Sequence, residues 1–310
     1  MNSTWAQRTK GERARPAAVN SDARASITPT NSDPTLIVKI LRWFAFFLAL
    51  TSAVFAADLK VGTLNCYLLF DPSLDHRGKV DDDNRMTSEQ YQQKLTNLAT
   101  LTKGYNVVAL QEIGGKTETM ALAKAAGSSW AWTQGRDTAT GQEVALLHNL
   151  PSWQVSSKGR VAELDKIVSK HLLVLATKGG ERVYFLAVHL LRPIGAQQQK
   201  QEGQRRAIGA WTQTLLARES GATVVILGDT NTSSRESLYG AGNDAGDLNG
   251  YSPTHLTNKC YDRLVVAGNG KWVGIEVLRP PYGRKPNDAN KRVWTDHYFV
   301  GAVLRTITPP

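Results

Sequence analysis

A layered α/β fold is the prediction for this chain of 310 residues, and three observations make it. Short apolar runs of β type recur along the sequence, each brief enough to be a strand. Longer amphipathic stretches at helical spacing fall between them, the pattern of sheets covered by helices. No internal repeat divides the chain, so the elements belong to one layered unit and not to a solenoid.

Taken in order, residues 59–64 form the first strand, ending in Asn65. The Asp81-Asp82-Asp83 run that follows is expected as a solvated loop, because it has neither the glycine nor the distal glutamate of an EF-hand. The spacing of Tyr91, Leu95, Leu98 and Leu101 predicts a helix over 87–103, with Thr87 and Gln90 as a capping box and Gly104 as its stop. A strand over 107–110 runs into Gln111-Glu112, and a second helix covers 117–126 up to Gly127. Glu143 precedes the apolar run 144–147, and strand 184–188 ends in His189. A third helix, 197–219, turns Ile208, Trp211, Leu215 and Leu216 inward and a solvated charged face outward. Strand 224–227 leads into Gly228-Asp229-Thr230-Asn231, and Tyr261-Asp262-Arg263 opens the strand that begins Leu264-Val265-Val266. Last, Thr295-Asp296-His297 precedes Tyr298-Phe299-Val300.

The polar groups at these strand ends are the informative feature. Side chains alternate along a strand, so Asp229 and Asn231, two apart, point the same way at the sheet edge. An Asx-turn explains that pair alone equally well. The recurrence of Asn65, Glu112, His189, Asp262, Asp296 and His297 at other strand ends argues for one converging site.

The first residues differ from the rest. Residues 1–35 are polar without periodicity and are expected to be a disordered extension or an upstream start wrongly assigned. Residues 36–57 carry Lys39 and Arg42, then an apolar core, then Val54-Phe55-Ala56-Ala57. This is the pattern of a signal peptide cleaved near Ala56 or Ala57, favoured over a membrane anchor because the uncharged stretch is short for a span of about 20 residues. The product is then expected outside the cytoplasm, extracellular or periplasmic. Residues 58–310 remain as one domain of about 250 residues, large enough to bury a core without disulfides. The full chain has 37 Lys/Arg against 27 Asp/Glu; without the leader the net charge is about +6, a basic balance that suits a polyanion. Two cysteines, Cys66 and Cys260, make no framework. Two buried free thiols are preferred over a single bridge, and structural zinc is not expected.

Over roughly residues 59–303 the chain resembles the endonuclease/exonuclease/phosphatase superfamily. The resemblance is carried by Asn65, Leu110-Gln111-Glu112, His189-Leu190, Gly228-Asp229-Thr230-Asn231 and Thr295-Asp296-His297, the last where the family has Ser-Asp-His. The stretch from Thr257 to Val266 is most similar to the pancreatic-type deoxyribonuclease branch. The resemblance implies a four-layered α/β/β/α sandwich, two packed, mainly antiparallel β-sheets flanked by helices, with the site at one end of the sheets. It also implies a metal-dependent phosphodiesterase.

Phosphodiester hydrolysis needs an in-line water, charge stabilisation on the nonbridging oxygens and a proton for the departing oxygen. Glu112, Asn65 and Asp296 are expected to hold Mg²⁺, with Mn²⁺ or Ca²⁺ as alternatives, since oxygen donors suit hard cations. His297, oriented by Asp262, is the expected general base, and His189, partnered by Glu143, the general acid. Within the family the strand Asp is also described as base, so that assignment stays open between Asp229 and His297. Asp229 and Asn231 would position the water, and Asn231, Thr257, Asn258 and Arg192 would contact the phosphate. The other histidines, His76, His148, His171 and His255, receive only a surface or core reading.

The expected substrate is nucleic acid, DNA and possibly RNA, cut with low sequence specificity by a monomer without a stable protein partner. A phospholipid or sphingomyelin phosphodiesterase, or a phosphomonoesterase, is the alternative on the same site. Residues 271–292, read as a basic, Pro-rich insertion, fit phosphate better than lipid. A silent binding protein is disfavoured by retention of the whole residue set. Gly114-Gly115 after Ile113, the lack of a clear groove reader in 128–142 and Ser233-Ser234 depart from the deoxyribonuclease pattern and make duplex binding less secure than the chemistry.

Overall fold

The computed structural model describes residues 58–74, 85–135, 142–232, 240–281 and 288–306. The extension and signal peptide, Asp81 to Asp83, Arg136, Ser233-Ser234, Arg284 and Lys285 lie outside the described residues.

Two six-stranded sheets stack on each other. The first has the order β11-β12-β1-β2-β4-β3, built from β1 (Leu59–Leu69), β2 (Val107–Ile113), β3 (Ala131–Gln134), β4 (Glu143–His148), β11 (Gly270–Leu278) and β12 (Phe299–Thr306). The second has the order β5-β6-β7-β8-β10-β9, from β5 (Gln154–Gly159), β6 (His171–Lys178), β7 (Glu181–His189), β8 (Thr223–Asp229), β9 (Asn243–Asp244) and β10 (Asp262–Gly268). Only β1/β2 and β7/β8 pair parallel; the other neighbours are antiparallel. Helices α1 (Ser88–Thr102) and α2 (Lys116–Ala126) cover the first sheet, α3 (Gln197–Arg218) covers the second, and a short α4 (Asp288–Val293) lies against α1.

The alternation of side chains builds these layers. Val225 and Leu227 of β8 face the first sheet in a core with Val61, Val107, Ala109, Phe185, Ala187 and Leu264. Val224 and Ile226 point the other way, onto Ile208, Trp211 and Leu215 of α3. In the first sheet, Leu64, Val108 and Leu110 meet Leu95 and Leu98 of α1 and Leu122 of α2. Every such run is apolar on both faces because both faces are covered.

Helix α1 opens on the expected capping box, with Thr87 Oγ1 accepting from Gln90 N at 3.2 Å and Gln90 Oε1 accepting from Thr87 N at 2.9 Å. Strand β1 is longer than its apolar run because it bulges after Asn65, where Tyr67 and Leu68 adopt φ of 47° and 56°. Lys94 of α1, buried, donates to Tyr67 O at 2.6 Å and holds that bulge. The stretch read as a basic insertion is in part the edge strand β11, paired along β12. Both cysteines are free and buried, and burial pushes the thiols up to about 12 for Cys66 and about 11 for Cys260.

Candidate active site

The site grows from one row of three strands. In register, His189 of β7 lies opposite Asp229 of β8, and Asp262 of β10 lies opposite Asp229 from the other side. All three share the parity of the inward core residues, so they emerge where the sheets meet at one end. The β8 end is fixed by Gly228, at φ 149°, where a Cβ would stand 1.9 Å from Val188 O. Just past it Asn231, at φ 49°, donates its backbone N–H to Asp229 Oδ1 at 2.8 Å and its side-chain amide to Leu190 O at 2.9 Å.

The first sheet supplies the facing groups. Asn65 donates through Nδ2 to Glu112 Oε1 and to Asp229 Oδ2, both at 3.1 Å, and so stitches the two sheets. By simple alternation Glu112 would face the helices. The register shift between Gln111 and Ile113, with φ of 56° at Glu112, turns its carboxylate inward instead, a task typical of bulges. Thr295 Oγ1 donates to Asn65 O at 2.6 Å and accepts from His297 N at 3.1 Å, which anchors the terminal motif to β1.

Two histidines flank Asp229. His189 Nε2 lies 3.7 Å from Asp229 Oδ2 and 3.8 Å from Glu112 Oε1. His297 Nε2 lies 3.8 Å from Asp229 Oδ2 and 3.8 Å from Asp296 Oδ1, while its Nδ1 bonds Asp262 Oδ2 at 2.8 Å. The pairing of His297 with Asp262 is as the sequence predicts. The pairing of His189 with Glu143 is not found: Glu143 is buried at the start of β4, and His189 Nδ1 has no hydrogen-bond partner.

Protonation also runs opposite to the expected roles. Burial would lower His297, but the carboxylate of Asp262, its hydrogen bond, and Asp229 and Asp296 outweigh it and raise the imidazole to about 10. Burial, then Lys170, His297 and Arg192, hold His189 well below the ordinary histidine range. At neutral pH His297 is therefore the cation and His189 the neutral ring. Burial raises Asp229 to about 6, against the lowering pull of His297.

Acid groups, three of them buried and Asp296 half-buried, exceed the buried cations here. Glu112, Asp229, Asp262 and Asp296 converge, and the Asp262 Oδ1 and Asp296 Oδ1 atoms are buried without a hydrogen-bond partner. Such a surplus of oxygen donors fits a hard divalent cation, with Glu112, Asn65 and Asp296 as its expected holders.

Beside His189 the site opens into a cleft of about 510 Å³ whose walls include Glu112, Asn231, Lys170, Arg192, Gln142 and Gln197. Arg192 thus lines the cleft beside His189. Thr257 and Asn258 are exposed on the opposite, His255 side; Thr257 Oγ1 bonds His255 Nδ1 at 2.7 Å. Lys170 and His255 are neighbours of the site that the motifs do not reveal. Neither belongs to a strand-end pattern, and only the tertiary pairing brings them in.

No family model matches the sequence, and no curated protein matches it. Solved structures do match the fold. Zebrafish (D. rerio) TDP2 complexed with single strand DNA product superposes with a TM-score of 0.56 at 16% identity, over 81% of this chain and 100% of that one. An endonuclease/exonuclease/phosphatase family protein from Bacteroides thetaiotaomicron gives 0.54 at 13% identity, covering 81% and 96%. A mannosyl-6-phosphatase from Bacteroides thetaiotaomicron gives 0.52 at 14%, covering 79% and 99%.

Proposed function

From the premise that the chain has the endonuclease/exonuclease/phosphatase fold, we propose that it is a divalent-metal-dependent phosphodiesterase, a nuclease acting on DNA or RNA with little sequence preference. The observation that carries the reading is the convergence of Asn65, Glu112, His189, Asp229 and the Asp262–His297 pair on one spot at the end of both sheets.

When bound, a hard cation held by Glu112, Asn65 and Asp296 supplies positive charge against the nonbridging oxygens of the phosphate. The remaining roles fall to the chain. Asp229, close to neutrality in pKa, accepts the proton of the attacking water. His297, kept cationic by Asp262, pairs with the phosphate and donates its proton to the departing oxygen. Neutral His189 and the Asn231 amide orient the phosphate without repelling or neutralising it. Burial of these groups keeps their dipoles fixed and strong.

The cleft beyond His189 favours a diester over a monoester. Its two cations, Lys170 and Arg192, and its amides give a second substituent polar contacts. A DNA product bound to zebrafish TDP2 supports a nucleic-acid substrate on this fold, and residues 36–57 as a cleaved signal peptide would deliver the enzyme outside the cytoplasm. The test is a substrate panel: plasmid, single-stranded DNA, RNA, sphingomyelin and p-nitrophenyl phosphate, each with Mg²⁺ and with EDTA. Metal-dependent cleavage of nucleic acid ahead of the others is the expected result. Turnover of the monoester or the lipid alone would overturn the nuclease reading.

A further inference from the structure

His255 is unused by the chemistry above, yet it is built into the edge of the site. It pairs with His297 in an isolated antiparallel bridge, and Leu256 N donates to Asp296 O at 3.1 Å. Those backbone bonds fix the carriers of three donor groups at once. His255 Nε2 stands 3.4 Å from Asp296 Oδ2, and His297 Nε2 stands 3.8 Å from Asp296 Oδ1. The two rings meet edge to face with centroids 4.6 Å apart. One donor atom from each of His255, Asp296 and His297 lies within 4.8 Å of the others.

We propose that His255, Asp296 and His297 form a binding site for a borderline transition-metal ion of the Zn²⁺ or Co²⁺ type, one that shares Asp296 with the hard-cation position at Glu112 and Asn65. The geometry supports it. Donors about 2.0–2.1 Å from a tetrahedral ion stand about 3.3–3.4 Å apart; His255 Nε2 and Asp296 Oδ2 are already at 3.4 Å, and the set as a whole, within 4.8 Å, draws together as the ion enters. Two imidazoles and one carboxylate suit Zn²⁺ or Co²⁺ in preference to Mg²⁺.

The outer nitrogens of both rings are held in place. Each imidazole has its far nitrogen fixed: His297 Nδ1 by Asp262 at 2.8 Å, His255 Nδ1 by Thr257 Oγ1 at 2.7 Å. Without the ion, His255 Nδ1 accepts from Thr257 N at 3.1 Å, so binding requires the ring to change tautomer: Nδ1 takes the proton and donates it to Thr257 Oγ1, which frees the Nε2 lone pair. His297 gives up its Nε2 proton to solvent as the ion arrives, so binding releases a proton. The carboxylates that hold that proton, Asp229 and Asp296, hold the incoming charge in its place. Occupation removes the cationic form of His297, a consequence for catalysis that rests on the phosphodiesterase reading.

The site is tested by titrating the metal-free full-length protein with Co²⁺ and recording its visible absorption, in parallel with His255→Ala, His255→Gln and Glu112→Gln. Circular dichroism establishes that each variant is folded, and the glutamine variant serves if the alanine one is not. One equivalent of Co²⁺ with the intense bands of low-coordinate nitrogen ligation is expected in the parent and in Glu112→Gln. The His255 variants should bind at least tenfold more weakly and lose those bands. Equal binding in a folded His255 variant, or bands that depend on Glu112 and not on His255, would overturn the site. Co²⁺ binding as described in a protein without phosphoesterase activity would refute the proposed function and leave the site standing.

Discussion

The charge on His297 is the residue-scale feature with the most measurable consequences. Its folded pKa lies above the ordinary value of 6.5, at about 10. It therefore contributes stability in full below pH 6.5, and that contribution fades as pH rises towards 10. Asp262→Asn removes the principal source of the shift, while His189, Asp229 and Lys94 titrate in both proteins. In EDTA, the stability advantage of the parent over Asp262→Asn should shrink with pH at up to about 1.4 kcal/mol per unit. Chemical denaturation at several pH values measures it, and parallel curves would contradict the assignment. Alanine in place of His189 or His297 should lower turnover about 10²–10⁴-fold with the fold intact; near-normal rates would remove that histidine from the mechanism. The identities of these residues were legible in the sequence, because a strand end followed by a polar group is a local pattern. Their protonation was not, since it depends on burial and on carboxylates that arrive from other strands. His255 was illegible for the same reason: its partners, Asp296 and His297, are some forty positions away in sequence.

At the scale of elements, strand β8 carries the sharpest constraint. Gly228 sits at φ 149° with Val188 O in the place of any Cβ. Gly228→Ala should therefore cost about 3 kcal/mol or more and displace Asp229 from its row; a thermal or denaturant melt checks it, and an unchanged midpoint would refute the close approach. The strands covered on both faces were legible as apolar runs, as were the helices with caps and stops. Edge strand β5, Gln154–Gly159, is largely exposed and polar and offers no such run. Strand β11 has a broken apolar pattern, with a register shift between Trp272 and Gly274, and it holds one basic residue, Lys271; the basic residues that follow it hide the strand. The inward turn of Glu112 belongs to the same class. A bulge reverses the parity that alternation predicts, and nothing in Leu110-Gln111-Glu112 alone announces it.

For the whole molecule, the four layers converge their polar strand ends at one rim, and the core beneath them is largely apolar, with the buried Thr63–Gln111 pair bonded at 3.2 Å. No helix among the described residues is long and apolar enough to cross a membrane. The rim concentrates negative charge, so a cation that binds the folded form and not the unfolded one must stabilise it. Mg²⁺ at about 100 times its dissociation constant should add about 2.7 kcal/mol, read as a higher melting temperature that EDTA reverses; an unchanged melt would argue against the cation site. A phosphodiesterase whose cation is held at Glu112 stands or falls by plasmid nicking. The parent protein with Mg²⁺ should nick the plasmid, and EDTA or Glu112→Ala should abolish it. Nicking that persists in EDTA, or undiminished in a folded Glu112→Ala protein, would contradict it.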